Sequence, residues 1–107
     1  MTMATADWKR RLREDGFVEV DGFRIELSLD NTFMDMDYIP RVLFYDPPTG
    51  RWHVLRNPIP RGNSLEESWD RAVEVLCRIL DGKETPVFGE EGVAERFLRA
   101  LERLEAR

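Results

Sequence analysis

Residues 17–29 read FVEVDGFRIELSL, and the Asp21-Gly22 pair inside that stretch decides the fold class. A type I′ turn needs positive φ at both central residues, which Gly and Asp adopt at low cost. Its twist matches that of two antiparallel strands, so a D-G pair between alternating residues predicts a hairpin. Phe23, Ile25, Leu27 and Leu29 fall on one side of the second strand, and Arg24, Glu26 and Ser28 on the other. One face is therefore expected to be buried and the other wet.

Outward from this hairpin the punctuation is equally local. Asp7 to Asp15 reads as a short helix stopped by Gly16, with Trp8 and Leu12 one turn apart on its apolar side. A second hairpin is predicted from Arg41–Tyr45 and Arg51–Arg56, joined by Asp46-Pro47-Pro48-Thr49-Gly50, where proline presets the turn and glycine closes it. Between the hairpins, residues 30–40 have no period and read as a loop. Asn57 to Asn63 holds two prolines and a glycine and reads as connector.

Ser64-Leu65-Glu66-Glu67 is a capping box, with Ser64 as N-cap and Glu67 reaching back. Leu65, Trp69, Ala72, Val73, Leu76 and Leu80 then repeat at helical spacing, and Gly82 stands where a left-handed C′ residue belongs. Val93, Phe97, Ala100, Leu101 and Leu104 mark a last amphipathic helix. The expected fold is α+β in a single domain spanning 1–107. A four-stranded antiparallel sheet of two hairpins is preceded by a short N-terminal helix and covered on one face by two C-terminal helices. Trp69, Val73 and Leu76 are expected at the centre of the core with Phe23, Ile25 and Leu27.

Composition narrows the chemistry. The 107 residues are 42% hydrophobic and 35% charged, which suits a globular domain and neither a disordered nor a membrane-spanning chain. No apolar run approaches the roughly 20 residues of a transmembrane helix, and the N-terminus has no apolar signal-peptide core. One Cys forms no intrachain disulfide, and one Cys with one His falls short of a structural zinc site. A cytoplasmic chain without cofactor or metal is the expectation. The glycines form no phosphate-binding pattern.

Charge is distributed in blocks, with net −5 overall. Residues 1–13 carry +3, 14–37 carry −7, 38–62 carry +3 and 63–107 carry −4. Blocks of alternating sign can steer association or pair two copies head to tail. An acidic total opposes non-specific nucleic-acid binding, which needs local positive charge against phosphate.

Few residues are candidates for chemistry. Asp30, Asp35 and Asp37, joined by Asp46, are the best hard-cation set, but neither the glycine nor the closing glutamate of a calcium loop follows. His53 lies in a strand with no Ser or Cys beside it in sequence, and Cys77 flanks the helical core stripe, where thiols are inert. The hairpin R-V-L-F-Y-D-P-P-T-G-R-W-H-V with its capped helix resembles the sheet-and-helix arm domains of some phage integrases, through D-x-x-T-G-R. Gly62-Asn63-Ser64-Leu65-Glu66-Glu67 is similar to the G-D-T-L-E-E helix start of HicB-like antitoxins. These are a turn and a capping box that many folds share, so no family is assigned.

The remaining signal is for binding. Phe33, Met34, Met36 and Tyr38 place adaptable apolar side chains among loop acids, and Arg41, Arg51, Trp52, His53 and Arg56 give the second hairpin an arginine and aromatic character. These nine residues are the predicted partner-binding set. The expected function is a non-catalytic, regulatory protein-interaction module that binds another protein carrying a basic patch, with a homodimer as a further arrangement and no membrane partner. The alternatives are a nucleic-acid-binding domain using the 41–61 hairpin and, behind it, a small metal-dependent enzyme using the loop carboxylates.

Overall fold

The structure, a computed structural model, describes residues 7–30 and 39–106. Helix α1 (Trp8–Asp15) is followed by β1 (Phe17–Val20), β2 (Phe23–Asp30), β3 (Ile39–Asp46) and β4 (Arg51–Val54), then by helices α2 (Leu65–Leu80) and α3 (Val93–Ala106). The strands form one antiparallel meander in the order β1-β2-β3-β4. This is the α+β architecture that the two turn signals and three helical periods predict.

The D-G turn behaves as its chemistry requires. Asp21 has φ 49° and Gly22 φ 86°, and Val20 pairs with Phe23 across them. That register carries through the sheet: Val18, Ile25, Phe44 and His53 lie in one row, while Glu19, Arg24, Tyr45 and Trp52 lie in the next. Adjacent rows face opposite sides. Val18, Val20, Ile25, Leu27, Val42 and Phe44 are buried against the helices. The opposite face carries Phe17, Leu43, Tyr45, Trp52 and Val54, and no helix covers it among the described residues.

All three helices contribute to one core. Phe44 is its hub, stacked on Phe23 at 5.6 Å and edge-on to Phe97 at 5.0 Å. Trp8, fully buried, donates from Nε1 to Glu105 Oε2 at 2.9 Å and so ties α1 to the end of α3. Val73, Leu76, Ile25 and Leu27 are buried as expected, but Trp69 and Phe23 are only partly so. The reason lies in the arc of α2. Its inward line is Ser68, Ala72, Val75, Leu76 and Ile79, which leaves Trp69 on the flank beside the Arg13–Asp70 ion pair that joins α1 to α2. The centrally buried tryptophan is Trp8.

The connectors are fixed by specific bonds. Ser64 Oγ accepts from Glu67 N–H at 3.1 Å, and the Glu67 carboxylate accepts from the Asn63 N–H at 3.1 Å, one residue earlier than a standard capping box. Gly62 touches the first turn of α2 so closely that a Cβ would sit 2.5 Å from the Ser68 nitrogen. Asn57, buried, donates to Thr85 O at 2.9 Å and accepts from Val87 N–H at 2.8 Å, acting as a side-chain rung between two loops.

Candidate functional site

The β3–β4 hairpin holds every described member of the predicted set, and its register sorts them. Asp46 turns inward at the end of β3, loses all solvent exposure and meets Arg96 of α3. Arg96 donates from Nε to Oδ1 at 2.7 Å and from Nη2 to Oδ2 at 2.8 Å, a bidentate geometry. Burial pushes the Asp46 carboxyl upward, but the Arg96 hydrogen bonds, hydrogen bonding from Thr49 and the charge of Arg96 outweigh it. The carboxyl is held below its ordinary value of 3.8. Asp46 is thus committed to an ion pair and does not join the predicted cation set. The side chain of Asp30, and Asp35 and Asp37, lie outside the described residues. Among the described residues no group of three or more His, Cys, Asp or Glu is placed to hold a metal.

His53 faces the same side as Asp46. Its Nε2 lies 2.8 Å from Thr49 Oγ1, and its ring meets the edge of Phe88 at 6.5 Å. The Thr49 hydroxyl also hydrogen-bonds the Asp46 carbonyl at 3.1 Å, so Thr49 links the His53 ring to the end of β3. His53 therefore braces the 47–50 turn, half-buried, and sits apart from the wet face. Arg51 also leans toward the helices, where its guanidinium bonds Glu90. Cys77 is half-buried in a depression of about 200 Å³ with Lys9, Asp81 and Glu105.

Trp52 turns the other way. It stands 47% exposed, tilted against Tyr45 with ring centroids 5.5 Å apart, and Val54 beside it is 40% exposed. Leu43 extends this apolar surface onto β3; on β2 the charged Glu26 and Arg24 interrupt it, and Phe17 of β1 lies beyond them. Arg24 closes its far side, lying 3.8 Å from the Phe17 ring centroid and paired with Glu19 and Glu26. Arg41 occupies the same face opposite Ser28. Arg56 follows β4, its guanidinium across Gly89. It borders two depressions, one of about 310 Å³ with Trp52 and Glu90, and one of about 410 Å³ with Arg41 and Ile59.

Of the nine predicted residues, Arg41, Trp52 and Arg56 thus fall on or beside the open face, while Arg51 and His53 are turned toward the helical side. Phe33, Met34, Met36 and Tyr38 lie outside the described residues. Leu43, Val54 and Phe17 were not predicted. The available signal was alternation over 41–45, where Val42 and Phe44 fill one face and Leu43 and Tyr45 leave the other apolar too.

Comparison with protein-family models, curated proteins and solved structures finds no match. No described helix is long and apolar enough to cross a membrane.

Proposed function

We propose that this chain is a non-catalytic protein-interaction module whose docking surface is the open face of the β3–β4 hairpin. The observation that carries the reading is the Tyr45–Trp52 pair, with Trp52 and Val54 about half exposed on the sheet face opposite all three helices. Exposed large apolar side chains gathered on one patch mark interaction sites, and Trp and Tyr dominate interface energetics. The proposal extends to a protein partner and a regulatory role in the cytoplasm, for which the exposed patch supports the partner alone.

The nucleic-acid alternative draws less support. The arginines do not form one basic surface: Arg51 is paired with Glu90, Arg24 with Glu19 and Glu26, and Arg41 and Arg56 lie toward one end of the hairpin. The test is a photo-crosslinking amino acid placed at position 52, with position 102 on the exposed side of α3 as control, in cells of the native host. Adducts at 52 that are protease-sensitive, nuclease-resistant and larger than a dimer support the proposal. Nuclease-sensitive adducts favour the alternative, and equal adducts at 52 and 102 overturn the proposal.

A further inference from the structure

We propose that the outer edge of β4 is a strand-addition site for an extended, acidic peptide segment of the partner protein, seated along Trp52, Val54 and Arg56. The inference rests on the reading above and gives the partner one backbone geometry and one charge, opposite to the basic patch expected from the loop acids, whose side chains lie outside the described residues. Alternation in an antiparallel ladder gives the edge its polarity. Leu55 N–H donates to Val42 O at 2.9 Å, which makes that pair hydrogen-bonded, and two residues on, Phe44 with His53 and Asp46 with Arg51. Trp52, Val54 and Arg56 therefore turn their backbone groups away from β3.

At Arg56 the outward direction is already used, because its N–H donates to Val87 O at 2.8 Å. The outward N–H and C=O groups of Trp52 and Val54 bond no other described residue. Unpaired donors and acceptors along an edge are the template on which another strand adds. The neighbouring stretch of β3 is closed to such pairing. Pro40 lies two residues before Val42, so the N–H it lacks belongs to the same side. On this side of the sheet strand addition is confined to β4 itself.

Charge and shape select the occupant. The depression of about 310 Å³ runs beside this edge between Trp52, Val54, Arg56, Gly89 and Glu90. The Arg56 guanidinium is seated on the Gly89 backbone, where a Cβ would come 2.5 Å from Nη2. Among the described residues Arg56 has no carboxylate partner, whereas Arg51 and Arg24 are both ion-paired. An added strand projects alternate side chains to the two faces. Apolar ones then extend the Trp52–Val54 surface, and an acidic one near the Arg56 end meets an uncompensated guanidinium.

The test uses the full chain, labelled with ¹⁵N, and the synthetic peptide Thr-Val-Asp-Val-Asp-Val-Thr. Its controls are a version with Lys for Asp and a version N-methylated at alternate backbone positions. The acidic peptide should bind with micromolar to millimolar affinity and slow amide exchange at Trp52 and Val54. N-methylation should abolish the effect, the Lys peptide should bind the wild type weakly, and Arg56→Glu should weaken the acidic peptide about tenfold. Unprotected Trp52 and Val54 amides at millimolar peptide, or an Arg56→Glu variant with unchanged affinity, would overturn the proposal. So would protection of those amides without peptide in a chain that sediments as a dimer, since the occupant is then a second copy. If position 52 crosslinks a protein while these amides stay unprotected, strand addition fails and the open-face reading stands; if it crosslinks nothing, both fail.

Discussion

Replacing Arg96 with Met should remove about 3 kcal/mol of stability, because it strands a buried carboxylate. Asp46 has no solvent exposure, and both its oxygens accept from one guanidinium at 2.7 and 2.8 Å. Breaking such a pair from one side costs roughly 3–5 kcal/mol. Arg96 is itself 27% exposed, so water reaches the vacated position and the lower end applies. For a chain of this size that corresponds to a fall of about 12–15 °C in Tm. Urea titration and thermal melting at neutral pH measure it. The same ion pair sets a pH dependence. In the wild type the folded Asp46 carboxyl lies below 3.8, so its contribution is complete above that pH and is lost as pH falls through the folded value. In Arg96→Met the same carboxyl is buried without its cation and its folded pKa rises, so protonation favours the folded variant. The gap between the two proteins should begin to narrow as pH falls toward 3.8, where the variant's carboxyl protonates, and close further below it as the wild-type pair is lost; Asp46→Val/Arg96→Met should recover more than half the loss. A melting point within about 2 °C of wild type, or a gap constant down to acid pH, would refute this reasoning.

Trp8→Ala should cost about 3–5 kcal/mol and Trp69→Ala about half as much, an order that urea midpoints read directly. Gly62→Ala should destabilise by about 2–3 kcal/mol, since the new Cβ meets the backbone of Glu67 and Ser68, which has no rotamer to yield. Ser64→Ala should cost about 1 kcal/mol through loss of the N-cap bond to Glu67, measured the same way.

The legible parts of this fold are those specified within a few residues. Asp21-Gly22 sets both the hairpin and its register, and Ser64 and Gly82 bound α2 as their conformational preferences require. The Asp46–Arg96 pair spans 50 residues and joins a turn that reads as exposed to a helix face that reads as solvated. No local pattern announces it. The misplaced core centre has a similar origin. Trp69 fits the apolar stripe of α2 as well as Ala72 does, but the sheet faces the line through Ser68, Ala72 and Ile79, and small residues there permit close approach. Phe44 became the hub because β3 is central in the sheet, and its strand order follows only from assembled topology. At the site, the aromatic hairpin was visible as composition. Which side each arginine takes depended on the register, and that divided Arg51 and His53 from Trp52.

On the proposed function, the open face of the β3–β4 hairpin is covered by another protein in the cell. The most direct measurement compares the wild type with Tyr45→Ser/Trp52→Ser, reading the thermal midpoint and the protein adducts from a photo-crosslinker at position 54 in the same preparations. The midpoint should stay within about 3 °C of wild type, because these rings face away from the core, and the adducts should be lost. A variant that unfolds, or one that keeps its adducts at wild-type yield, would contradict the proposal.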